Sequence, residues 1–309
     1  MPLKNLPLRY KLMVITSGLI IVSLVVLSVI SIRNFTQDKT DLIKLQTNDT
    51  AKLIAEKLRT EISARVEGLQ VFDRFAGFSG ATAKSKKGAR RKPAAAVTDR
   101  ANLSAGSGVL RVSRYLFDAG EIRRGYSRDI VAEQQKVEIA PGAFARDEER
   151  LAERLKAVFR GQTLLLTRTQ SFGKPVWFIA FPVIEGEVAQ RVITAYLSTE
   201  VLDSAFTSRA YTSFFVDSDR ALVVHSDKKE TLAARNFKDH PAVEFLQGQE
   251  TRTGFSIYRN NATKHDYFGA FSKLDIGTTA VVVEMEKDRA LESVNRLRIT
   301  SALIAGIII

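Results

Sequence analysis

From Leu12 to Ile32 the chain reads LMVITSGLIIVSLVVLSVISI, 21 positions without a charge. At helical rise this stretch covers about 30 Å, enough to cross the hydrocarbon core of a bilayer. Lys4, Arg9 and Lys11 precede it unopposed, whereas Asp38 and Asp41 stand beside Arg33 and Lys39 after it. That bias puts the segment 1–11 in the cytoplasm and a membrane helix at 12–32. A cleaved signal peptide would have a shorter apolar core and a small-x-small site after it; SIRNF follows instead, so the span reads as an uncleaved anchor. Between Thr36 and Ala76 the pattern changes. Apolar or small residues recur at Ala51, Ala55, Leu58, Ile62, Val66, Leu69, Phe72 and Ala76, a mean step close to 3.6, with charges between them and no Pro. This predicts one long amphipathic helix over 36–76, able to pack on its own domain, to pair with a second copy, or to do both. At the other end, ITSALIAGIII follows Arg296 and Arg298 with no charge. It is expected to begin a second membrane helix at 299–309, the alternative being a buried terminal core helix.

Between these segments the periodicity turns to that of strands, and it is written twice. RYLFDAGEI at 114–122 and SFFVDSDRALVV at 213–224 both read as strand, turn, strand. FRGQTLLLTRTQSFGKPVWFIAFPV and FLQGQETRTGFSIYRNNATKHDYFGAFSKL each open on an aromatic helix end followed by Gly-Gln, then give a strand, a polar turn and a further strand. RVITAYLS and TTAVVVEME close the two units. The order is two strands, a helix, then three strands, repeated. The predicted class is α+β: a long N-terminal helix, then two PAS-like five-stranded antiparallel lobes at 109–206 and 207–286, an exit helix at 287–298, and membrane helices on either side.

Composition removes several functions. Cysteine is absent, so disulfides, thiolate metal sites and cysteine nucleophiles are excluded. The formal charge of +12 suggests nucleic acid until it is localised. Much of it lies in AKSKKGARRKPAAA, within a segment 77–108 too poor in apolar residues to fold, and without the interleaved aromatics of single-strand binders. No nucleic-acid partner is expected, and the run reads as a solvated loop. His225, His240 and His265 lack metal-ligand spacing, and neither a GxSxG elbow nor a phosphate loop occurs. His225 and His240 read as loop residues, and Asp217 and Asp219 as turn formers. No catalytic residue, metal or cofactor is expected in 33–298.

Two such units behind a membrane-connected helix resemble the double Cache sensor domain of bacterial transmembrane receptors. VDSDRALVVHSDKKE…NFKDHPAV (216–243) and FGAFSKLDIGTTAVVVEMEKDRAL (268–291) are similar to the hairpin, last strands and exit helix of its membrane-proximal lobe. The resemblance implies an inner-membrane receptor, dimeric, with 33–298 extracytoplasmic and a small-molecule ligand in the membrane-distal lobe. Its cytoplasmic output would be a methyl-accepting, kinase, diguanylate cyclase or class III cyclase domain outside this chain. A non-signalling membrane-anchored solute-binding or scaffolding protein is the competing class. Some amino-acid-sensing members carry an Arg-x-Trp element before the third strand and an Asp in the fifth. Here ERLAERLKAVFRG offers no Arg-x-Trp, and Tyr196 stands at the Asp position. An amino-acid ligand is therefore not expected. Arg168, Trp177, Tyr196 and Tyr115 remain as candidate ligand-binding residues. Arg168 would anchor a small organic anion bidentately and the aromatics would wall it.

Overall fold

The computed structural model describes residues 7–81, 108–118, 121–130, 139–140, 142–185, 188–207, 210–233 and 235–308. Helix α1 (Leu8–Ala81) runs unbroken for 74 residues, joining the apolar span to the amphipathic stretch. No Pro lies within it to remove a backbone donor. The first residues of the segment 77–108 expected as a loop are helical, since α1 continues to Ala81; the basic run 84–92 lies outside the described residues. Over the apolar span Leu12, Ile15, Leu19, Val22 and Leu27 all point outward. Among the described residues this is the one helix long and apolar enough to cross a membrane.

Strands β1 (Val109–Asp118) and β2 (Glu121–Asp129) form the first hairpin. Helix α2 (Ala143–Phe159) follows, then β3 (Leu164–Thr167), the single turn α3 (Thr169–Phe172), β4 (Val176–Glu185) and β5 (Val188–Ser198). A short helix α4 (Glu200–Asp203) leads to the second unit. There β6 (Thr212–Val216) and β7 (Leu222–His225) are followed by α5 (Lys228–Ala233) and α6 (Pro241–Gln247). Strands β8 (Thr253–Arg259), β9 (Asp266–Lys273) and β10 (Ala280–Glu286) complete it. The two antiparallel sheets have the same order, β2-β1-β5-β4-β3 and β7-β6-β10-β9-β8. The last strand of each unit sits at the centre, between the first and fourth. The exit helix is two pieces rather than one: α7 (Lys287–Ala290) stops at Leu291, and α8 (Glu292–Ile308) continues beside α1, where Arg298 Nη2 lies 3.5 Å from Thr36 Oγ1.

Each sheet is buried on both faces. One face of both lies on α1. Ala51, Ala55, Leu58, Ile62, Leu69 and Phe72 share one apolar cluster with Trp177, Ile179 and Ile193 of the first sheet and Phe215, Val281 and Val283 of the second. The stripe that the sequence offers for pairing with a second copy is thus filled by the chain's own sheets. Leu42, Leu45 and Leu53 remain exposed on α1. The opposite face of the first sheet packs on α2 and that of the second on α6.

Candidate functional site

The space between α2 and the first sheet holds buried charges. The buried face of α2 carries Phe144, Asp147, Glu148, Leu151, Leu155 and Val158. Helical spacing places the two acids between Phe144 and Leu151, where an apolar residue belongs. An ionised carboxylate is taken out of water only when paired and hydrogen-bonded, and both acids meet arginines from the sheet.

Asp147 is gripped by Arg168, at the end of β3. Arg168 Nε donates to Asp147 Oδ2 at 2.8 Å and Nη2 donates to Oδ1, a two-pronged pair. Tyr196, on β5, adds its hydroxyl to Oδ2 at 3.1 Å. Burial pushes the Tyr196 hydroxyl well above its ordinary value, so it acts as a donor here. Phe144 and Phe172 pack against the Tyr196 ring, each with its centroid within 5.5 Å.

Glu148 is held by β1. Arg111 donates to it through Nε at 2.9 Å and Nη2 at 3.2 Å, and Ser113 Oγ donates at 2.8 Å. Arg111 also reaches Asp129 through Nη1 at 2.6 Å. Burial alone would lower Arg111, but the two carboxylates outweigh it and the net shift is upward. Tyr115 Oη is buried without a hydrogen-bond partner of normal geometry. It lies close enough to Glu148 to feel its charge, and burial with that charge raises the phenol. Arg111 and Ser113 come from β1 and Tyr115 beyond them, on the α2 side of a strand whose register shifts twice.

Three of the four residues expected at the site are therefore together: Arg168, Tyr196 and Tyr115 all face α2. Trp177 does not join them. It points to the other face, fully buried against α1, with its indole N–H donated to Ser198 O at 3.2 Å. It is core and not a wall of this site. Sequence reasoning missed Asp147, Glu148 and Arg111. The signal was a pair of acids on the apolar face of a predicted helix. The carboxylate found wanting at position 196 comes instead from α2, in contact with the Tyr196 hydroxyl.

The site is joined to the second lobe. Arg154, on α2, donates to Asp219 in the β6–β7 turn at 2.8 Å. Asp217 forms that turn by accepting from Asp219 N and Ala221 N at 2.8 Å, as its spacing predicts, and also accepts from Thr167 N at 2.7 Å. Thr167 is the neighbour of Arg168. Elsewhere, His225 ends β7 and His240 caps α6, both beside a cleft in the second lobe. His265, Glu286 and Asp288 bring ligand atoms within 4.8 Å of one another, the one such grouping among the described residues. His265 Nδ1 is 3.1 Å from Glu286 Oε1, a surface contact.

No protein-family model and no curated protein matches the sequence. Solved structures do. The ligand-binding domain of the Pseudomonas fluorescens chemoreceptor CtaA, in complex with L-isoleucine, has 14% identity and a TM-score of 0.49 over 84% of this chain and 98% of its own. The sensory domain of the Campylobacter jejuni chemoreceptor Tlp3 has 11% identity and a TM-score of 0.49, over 82% and 97%. The ligand-binding domain of the Pseudomonas aeruginosa PAO1 amino acid chemoreceptor PctB, with L-Arg, has 16% identity and a TM-score of 0.44, over 80% and 97%. These structural neighbours are sensor domains of chemoreceptors. At these identities and scores the likeness concerns the path of the chain, and the chemistry of the site rests on its own residues.

Proposed function

We propose that the chain is the small-molecule input region of a membrane receptor, with the two lobes extracytoplasmic and the ligand, a small organic anion, received between α2 and the first sheet. One observation carries the reading. Arg168 and Tyr196 form a carboxylate-binding fork on the sheet, and Asp147 of α2 fills it like a tethered ligand. A free carboxylate would compete with Asp147 for the same donors. Displacing Asp147 would release α2 from the sheet, and α2 bears on the second lobe through Arg154 and Asp219. A ligand shifts such an equilibrium only by its difference in affinity for the two arrangements, typically about 1–3 kcal/mol. Pairing with a second copy would use the surface of α1 that the sheets leave open.

A second reading is favoured by Asp147 itself. Once freed, it would offer a carboxylate to an amine, so a ligand carrying both groups would satisfy both halves of the broken pair. The test is calorimetric titration of the full chain in nanodiscs with simple carboxylates and their α-amino counterparts. Saturable binding is expected, abolished by Arg168→Ala and strengthened about tenfold by Asp147→Ala, which removes the internal competitor. Absence of binding beyond that of the Arg168→Ala variant sinks the assignment; preference for the amino partner decides for the second reading.

A further inference from the structure

The second lobe carries a site that owes nothing to the first. Glu284 stands on β10 on the same face as Ala280 and Val282, where strand alternation calls for another apolar side chain. It is 6% exposed. Its partners across the sheet are Thr212 on β6 and Gly269 on β9. The glycine is needed: the Tyr258 ring lies over it, so that an added Cβ would meet that ring at 2.4 Å. So placed, Tyr258 donates its hydroxyl to Glu284 Oε2. His240 Nε2 lies 3.8 Å from the same oxygen.

A cleft of about 600 Å³ opens beside these groups, a volume in the range of small-molecule sites. The rings lining it are His225, Phe237, His240 and Tyr267, with Phe237 stacked on His240 at 5.2 Å; Phe214, on His225 at 5.9 Å, and Tyr258, on Tyr267 at 6.1 Å, support two of them from outside the lining. The charges lining it are Asp227, Glu230, Asp239 and Glu284 against Arg235 alone, and Arg235 is 3.2 Å from Glu230. Both histidines are kept neutral, burial lowering each and taking His240 to about 4. Their Nδ1 lone pairs are used by backbone donors, Asp227 N at 2.9 Å and Ala242 N at 3.3 Å. At His225 that leaves an N–H at Nε2, with no lone pair for a metal; His240 Nε2 faces Asn260 Nδ2 at 3.4 Å.

We infer that this cleft is a second binding site, for a small organic cation (an amine or quaternary ammonium), with Glu284 as its counter-ion and the aromatic rings as its walls. A buried carboxylate is stabilised by a nearby cation. Ring faces attract cations, the more so when water is excluded. The acids at the rim draw positive ligands in and turn anions away. Burial raises the Glu284 carboxyl to about 7, against the opposing bond from Tyr258. A bound cation would draw that value down again, so binding near neutral pH would release a proton.

The experiment is calorimetric titration of the full chain in nanodiscs at pH 7 with choline and with ethylamine, in two buffers of different ionisation heat, and with acetate as the opposite charge. The expected result is saturable binding of at least one cation with proton release, weakened tenfold or more by Glu284→Gln. Thr212→Leu, which narrows the cleft opposite Glu284 without touching the carboxyl, should weaken it as well and serves alone should Glu284→Gln not fold. The inference is overturned by the absence of saturable cation binding, by tighter binding of acetate, or by cation binding that neither variant reduces.

Discussion

Replacing Asp147 with Ala tests the internal ion pair directly. Asp147 is 3% exposed, and the Arg168 side chain opposite it 18%. The variant would leave a guanidinium largely buried and Tyr196 without its acceptor. Breaking a buried pair by removing one partner costs about 3–5 kcal/mol, because the remaining charge is uncompensated. For a folded unit of this size each kcal/mol lowers Tm by roughly 2–4 °C. A fall of about 10 °C is therefore expected in thermal unfolding of the full chain in detergent, followed by far-ultraviolet circular dichroism. The double variant Asp147→Leu with Arg168→Met removes both charges and should recover most of the loss, since apolar replacement of a buried pair is often neutral or better. Added propionate should also restore stability to the single variant, by about 2.7 kcal/mol at a hundred times its Kd. A melt of Asp147→Ala within about 2 °C of the parent would refute the reasoning, since Arg168 would then have water or another partner in place of Asp147.

Trp177→Ala should cost about 3–5 kcal/mol in chemical unfolding, while leaving anion affinity of the folded fraction unchanged, because the side chain lies on the α1 face. Gly269→Ala should destabilise by about 1–3 kcal/mol through the clash with the Tyr258 ring, read as a lower denaturant midpoint with an unchanged m-value. Glu284 gives a pH signature with a definite sign. Its folded value, about 7, lies above the ordinary 4.5, so the native state holds the proton more tightly and stability declines as pH rises between the two. The gap corresponds to about 3 kcal/mol, seen as the difference between the parent and Glu284→Gln over pH 4.5–7. His240 runs the opposite way between about 4 and 6.5. Because His240 lies 3.8 Å from Glu284, the comparison is repeated in a His240→Asn background, where the Glu284 slope should persist.

The elements were legible where their period was clean. The stripe from Ala51 to Phe72 is the buried face of α1, and the duplicated order of strands and helix gives two sheets of one topology. The facing of VWFIAF on β4 was not legible. That strand is buried on both sides, by α1 and by α2, so its run is apolar throughout and alternation carries no sign. Which face Trp177 takes could therefore not be read from its strand. Arg168 and Tyr196 could be picked out by residue type, but their occupant could not. Asp147 and Glu148 sit on the helix face that also carries Phe144 and Leu151, and only the packing of α2 on the sheet shows that these two acids of DEER turn inward while Glu149 and Arg150 stay exposed. The same holds for His240, which meets Glu284 only once β10 and α6 are assembled.

The unbroken course of α1 also sets a mechanical condition. Its 74 residues make a rod of about 110 Å. Near its far end Asp73 is clamped by Arg114, with Arg191 at 3.5 Å, while its near end is the apolar span. No proline or second segment intervenes to act as a universal joint. A rotation of the lobes about α1 is therefore carried to the apolar span with its azimuth intact. The angular phase between lobes and span is fixed by residue count, each inserted residue turning one against the other by about 100°.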